Sequence, residues 1–185
     1  MKPLCLISCP IDTFSGYGAR SRDFVRALFK LKEKEWDIRI IPQRWGDCPW
    51  GALNDNDPLK LSYNQEKQLS KQPDIWVQIT VPNEFQPIGK FNIGVTAGIE
   101  PTAFPPEFID GMNRMNLNLV SSNHTKNVAQ STQFEKRNQQ GQVIGTIKLE
   151  KPCEVLFEGV LKVSKNVLIN SVIFFLSSPK LPGNQ

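Results

Sequence analysis

The sequence predicts an α/β protein: a Rossmann-like, doubly wound, mainly parallel sheet with helices on both faces. Two observations point there. Residues 3–8 form a continuous apolar run, as strands buried on both faces do. Further strand-like runs then alternate with helix-like segments, which implies a parallel sheet joined by right-handed crossovers. In such sheets ligands bind beyond the carboxyl ends of the strands.

In chain order, the first strand at residues 3–8 leads through a loop into an amphipathic helix. Phe24, Leu28 and Leu31 fall at i, i+4 and i+7, Val25 and Ala27 widen the stripe, and Arg22, Arg26 and Lys30 lie opposite. Residues 37–41 read as a second strand stopped by Pro42. The next segment, QRWGDCPWGALNDNDP, is rich in Gly, Pro, Asn and Asp and reads as a long loop. Residues 59–69 are a weak helix candidate, residues 74–80 a third strand and residues 91–96 a fourth. Residues 106–115 form a helix with Pro105 and Pro106 at its start, where missing amide donors are tolerated. A fifth strand covers residues 117–120, and Ser122 or Asn123 caps a short helix through Ala129. The polar, glutamine-rich residues 133–142 suggest a mobile loop or protruding hairpin, with residues 143–149 pairing as an edge strand. Residues 154–157 form the last core strand, closed by Gly159, and VLINSVIFFL at 167–176 reads as a buried strand or an apolar tail.

Composition narrows the function classes. The chain has 185 residues, 39% hydrophobic and 22% charged, which suits one domain with a real core. Net charge is a mild +4, and no cluster of Lys and Arg suggests a nucleic-acid partner. Cys5, Cys9, Cys48 and Cys153 include no C-x-x-C pair and His124 is the lone histidine, so no metal site is expected. Cys5 and Cys9 read as buried thiols. The apolar start, MKPLCLISCP, is too short for a signal peptide, and residues 167–176 are about half of a membrane span. A cytoplasmic setting without a membrane span is expected.

The stretch TFSGYGARSRDFVRAL, residues 13–28, is the most informative. Gly16 and Gly18 are placed in the loop between the first strand and first helix, where glycine permits positive φ and close ligand approach. Arg20 and Arg22 stand near the helix start, where acidic residues are usual. Either solvent screens them or something negative sits there. A dinucleotide fingerprint fails: its third glycine is Ser21, and Gln43 and Arg44 stand where an acidic ribose partner belongs. The Gly-Lys-Ser/Thr of a Walker loop is absent as well. Two readings remain, a turn that admits a helix and an anion site. Arg26 reads as a solvated residue able to pair with Asp23.

SGYGARSRDFVRAL, VQITVPNEF, GKFNIGVTAGIE and PPEFIDGMNRMNLNLVSSNHTKNV together resemble the amino-terminal half of GT-B glycosyltransferases, specifically the large retaining family four. The most specific part is residues 108–128, where Phe108, Asn113, Val120, Ser122 and Lys126 sit at matching places. EVLFEGV, residues 154–160, resembles the strand that closes this half, although Leu161 stands where the family has aspartate. The likeness implies a domain over residues 1–160 and an unmatched tail at 161–185, too short for the second Rossmann-like domain that holds most donor contacts in such enzymes.

That resemblance implies a nucleotide-sugar as donor substrate, no further cofactor, and a glycan or other hydroxyl acceptor. Gly16, Tyr17 and Gly18 would approach the donor diphosphate or reacting sugar, and Arg20 would stabilise the leaving phosphate, unless it is simply exposed. Thr96, Glu100, Ser122 and Lys126 are the acceptor-side candidates. Their plainer readings are caps, helix-leading charges and surface contacts. His124 reads as a capping or exposed residue, and Trp45 and Trp50 as sugar-stacking or loop-packing aromatics. No catalytic residue is assigned. Acting alone, the acceptor-side half would be weak or inactive, and its uncovered face would favour a separate donor-domain chain or self-association. The alternatives are a non-catalytic Rossmann-like module and an NADP-dependent reductase, the latter permitted by Arg44.

Overall fold

A computed structural model of the chain describes residues 2–66, 69–97 and 102–158. In chain order its elements are β1 (Leu4–Cys9), α1 (Gly16–Lys32), β2 (Asp37–Pro42), α2 (Pro58–Leu61), β3 (Ile75–Ile79), a 3₁₀ turn (Pro82–Glu84), β4 (Phe91–Thr96), α3 (Pro106–Asn113), β5 (Leu117–Val120), α4 (Asn123–Ser131), β6 (Gln133–Arg137), β7 (Val143–Lys148) and β8 (Cys153–Val155). Among the described residues, six strands form one sheet in the order β2-β1-β3-β4-β5-β8, and every neighbouring pair is parallel.

The path from β1 to β2 runs one way across the sheet, and the path from β3 to β8 runs the other. With crossovers of one hand, that reversal sends helices to opposite faces. The two cores follow from it. Cys5, Ile7 and Cys9 of β1 pack with Val25 and Leu28 of α1 on one face. On the other, Leu6 joins the cluster formed by Ile109 and Met112 of α3 with Val128 and Ala129 of α4. Strand alternation divides β1 between these layers, and each fully buried aliphatic contributes about 1.5–3 kcal/mol. The fold is Rossmann-like α/β, as the sequence predicts.

Three elements differ from expectation. The helix expected over residues 59–69 is only one turn, α2, because Ser62 and Asn64 pair with Ile40 alongside β2: Ile40 N donates to Ser62 O at 3.0 Å and Asn64 N to Ile40 O at 2.8 Å. Long-range pairing overrides a weak local helix there. Residues 143–148 do not extend the main sheet but pair antiparallel with β6 as a separate hairpin, turning at Gly141 with φ +78°. The last core strand is shorter than expected and starts earlier, at Cys153. Leu156 still donates to Val120 O at 2.8 Å. The stretch 167–176 lies outside the described residues. Among the described residues, no helix is long and apolar enough to cross a membrane.

All four cysteines are free. Burial pushes the thiols of Cys5, Cys9 and Cys153 up to about 12, whereas Cys48 is half-buried. Since the thiolate is the reactive form, at pH 8 only about one part in ten thousand of each buried thiol is available. Titration of the native protein with a chromogenic disulfide should therefore release one equivalent quickly, from Cys48, and four after denaturation. Fast release of more than one from native protein contradicts the burial described here.

Candidate functional site

The carboxyl rim of the sheet is built around the connection from β1 to α1. After Cys9 the loop turns tightly: Thr13 N donates to Pro10 O at 3.1 Å, and the Thr13 hydroxyl donates to the same oxygen at 2.8 Å. Ser15 is the helix N-cap, its hydroxyl accepting from Gly18 N at 2.9 Å. Gly16 and Gly18 therefore stand in the first turn of α1, not in the loop. Neither belongs to the positive-φ glycines, which among the described residues are Gly46, Gly51 and Gly141. Gly18 answers a different need. A Cβ there would lie 2.2 Å from Thr13 O and 3.0 Å from Pro10 O, so only glycine lets the helix start against its own loop.

The misplaced arginines both have partners within the fold. Arg22 donates through Nη1 to Ile11 O and Thr13 O, each at 2.9 Å, and so ties the loop to the helix. Arg20 is buried rather than exposed, with 7% of its side chain accessible. Its Nη2 donates to Leu156 O at 2.7 Å, and its Nη1 lies 3.2 Å from Glu158 Oε1. Its Nε is buried with no partner among the described residues. Burial lowers the Arg20 pKa more than Glu158, and then Tyr17, raise it, so the guanidinium is short of negative charge. Arg26 is half-exposed, as a solvated residue, and pairs with Asp57 at 3.2 Å rather than with Asp23, because the loop before α2 folds back over the α1 face.

Tyr17 links two strand ends. Its ring stacks on Trp45 with centroids 4.1 Å apart, its hydroxyl lies 3.0 Å from Thr96 Oγ1, and Ala97 N donates to it at 3.2 Å. Thr96, the last residue of β4, is buried. Ser122 caps α4, accepting from Thr125 N at 3.1 Å. Lys126 pairs with Glu154 at 2.7 Å. Glu100 lies outside the described residues, and His124 is exposed in the first turn of α4. Asn113 holds the β6–β7 hairpin by donating to Lys148 O and accepting from Glu150 N, both at 2.8 Å. Phe108 packs edge-on against Phe104. The donor-side candidates, Thr96, Ser122 and Lys126 thus all sit at the carboxyl ends of the strands, most of them already partnered.

Reasoning from the sequence missed Asp12, which holds the long loop after β2. Its carboxylate accepts from Leu53 N at 2.8 Å, and its carbonyl accepts from Gly51 N at 2.9 Å and Ala52 N at 3.0 Å. Asp12 is fully buried, and its charge adds to the effect of burial in raising the Tyr63 phenol. An Asp immediately before the T-F-S-G turn was the available signal, since Asp readily accepts from loop amides. Asp12→Asn keeps an acceptor for Leu53 but turns a charge-assisted hydrogen bond into a neutral one, and should cost about 1 kcal/mol in urea unfolding. Unchanged stability contradicts the anchoring role.

Around this rim Phe14, Trp50 and Phe157 are exposed at 61%, 42% and 51%. Arg44 lies 6.0 Å from the Trp50 ring centroid. The first turn of α1 carries no acidic residue, and its leading amides have no intrahelical partner. The rim therefore offers positive charge, hydroxyls and aromatic surface. An open groove of about 640 Å³ lies at the opposite, amino end of the sheet, lined by residues including Lys2, Phe29, Trp36 and Arg39. Arg39 there is paired with Asp37 and Glu66. Strand-end chemistry in parallel sheets favours the carboxyl rim instead.

Fold and rim together define a Rossmann-like α/β protein with a polar carboxyl edge. No family model matches the chain, and comparisons with curated proteins and with solved structures likewise return no match.

Proposed function

We propose that this chain is the acceptor-side half of a retaining GT-B glycosyltransferase, with the rim at β1, β4, β5 and β8 facing a nucleotide-sugar. The observation that carries this reading is the bridge made by the first turn of α1. Tyr17 reaches Thr96 at the end of β4, and Arg20 reaches Leu156 just beyond β8. Donor-side and acceptor-side candidates thereby share one edge. A diphosphate there would meet the leading amides of α1 and the Arg20 guanidinium, which favour a departing phosphate. Phe14, Trp50 and Phe157 supply apolar area on the same edge for a second, donor-binding Rossmann-like domain.

A second reading, a non-catalytic Rossmann-like module, is favoured by one specific observation. Lys126 and Ser122 are already used by Glu154 and by the α4 cap. Titration of the full chain with UDP-sugars, GDP-sugars and NADPH separates the readings. Micromolar binding of a sugar nucleotide is the expected result. Binding of NADPH alone turns the assignment to a reductase, and binding of none supports the bare module.

A further inference from the structure

We infer that Glu158 is a self-ligand, its carboxylate holding the place on Arg20 that a diphosphate takes when one binds the rim. The inference rests on the reading of this rim as a phosphate site and names its regulation.

The two partners of Arg20 differ in kind. Leu156 O is part of the backbone that continues β8, and its 2.7 Å bond fixes one end of the guanidinium. Glu158 is two residues further on, beyond the last strand, and its side chain is 58% exposed. A salt bridge with so exposed a carboxylate is worth little, because solvent screens it and holding the side chain costs entropy. The arginine itself is nearly inaccessible, so it needs a counter-charge far more than Glu158 does. Its Nε still has no partner among the described residues.

A planar guanidinium with one fixed end and one weakly held end suits exchange of carboxylate for phosphate. A phosphate oxygen makes the same charge-assisted contact to Nη1 and carries more charge. Tyr17 and the first turn of α1 begin at the same rim. No covalent step is involved. One anion leaves the arginine and another arrives, and the released Glu158 carboxylate returns to water. In the absence of ligand Glu158 supplies the counter-charge and the β8 end stays attached to α1. In its presence, Glu158 acts as a competitor that sets the affinity.

Glu158→Gln tests this with a side chain of nearly the same shape at an exposed position, its fold checked by circular dichroism. Isothermal titration of the full chain with inorganic pyrophosphate and, separately, with UDP should show both binding about tenfold tighter to E158Q, because a like charge within a few ångströms of the incoming anion is gone. Arg20→Met in the E158Q background, with its fold checked by circular dichroism, should lose that gain. The two ligands distinguish a free diphosphate from a nucleotide-borne one. Equal or weaker binding by E158Q overturns the self-ligand role, while binding of nucleotide sugars to both forms would leave the sugar-transfer reading standing. Tighter pyrophosphate binding by E158Q without binding of any nucleotide sugar upholds the self-ligand role and removes sugar transfer.

Discussion

Gly111→Ala should lower the unfolding free energy by about 4 kcal/mol, the largest effect expected of a single methyl group in this protein. Residue 111 lies inside α3, where alanine ordinarily improves a helix by about 1 kcal/mol over glycine. Here the added Cβ would sit 1.8 Å from Pro82 O and 2.5 Å from Pro82 C. Those are backbone atoms of the 3₁₀ turn, which cannot swing aside as the end of a side chain does. That turn is fastened on both sides. Gln78 donates to Glu84 O at 3.0 Å, and Arg114 donates to Phe85 O and Asn83 O, each at 2.8 Å. Relief therefore requires α3 to lift from the sheet, exposing Ile109 and Met112, which are fully buried. At roughly 3 °C per kcal/mol for a domain of this size, the midpoint of thermal unfolding should fall by about 12 °C. A neutral or stabilising result would mean that α3 does not pack against the turn as described.

Gly18→Ala should cost about 3 kcal/mol and, unlike the change at 111, should also disturb the rim. Helix propensity again argues for a gain of about 1 kcal/mol, and the contact again wins. The new Cβ would meet Thr13 O at 2.2 Å and Thr13 Oγ1 at 2.8 Å. Moving the loop away from α1 breaks the hydrogen bonds from Arg22 to Ile11 O and Thr13 O and pulls at Asp12, which anchors the loop at Leu53. A double-mutant comparison identifies the culprit atom. Thr13→Ala removes the hydroxyl but leaves the nearer backbone oxygen, so Gly18→Ala should remain costly in that background. Near-complete rescue would place the conflict on the hydroxyl and contradict the geometry. Urea unfolding reads the stability loss. In the same variant, pyrophosphate affinity should weaken, since the first-turn amides and Tyr17 move with the loop.

The main elements were legible because their cause is local. Residues 117–120 are four consecutive buried positions, and LNLV, three aliphatics around Asn118, reads as the fifth strand. The proline-led helix at 106 and the Ser122 cap are likewise short-range devices with recognisable residues. The one-turn α2 was not legible, because its end is decided by Ile40, a strand residue that pairs with Ser62 and Asn64. The separate β6–β7 hairpin was half legible. Its polar turn suggested a hairpin, but nothing in VIGTIK says which neighbour it pairs with.

At the site the division is sharper. Two arginines at a helix start are a visible anomaly, and the sequence correctly raises the question of what faces them. The answer lies 136 positions away for Arg20, at Leu156, but only 11 and 9 positions away for Arg22, at Ile11 and Thr13. The glycines show the same division. Their place near the first helix is readable, but the reason for Gly18 is a backbone oxygen brought close by the loop, not a positive φ.

What the sequence by itself determined is the alternation of strands and helices, and hence the parallel, doubly wound sheet, because hydrophobic periodicity and turn residues act over a few positions. Only the tertiary structure decided which charges are partnered, which face each strand residue joins and which carboxylate meets Arg20. Those outcomes depend on strand order and register, which bring distant segments together, and electrostatic partners are chosen by distance in space rather than along the chain.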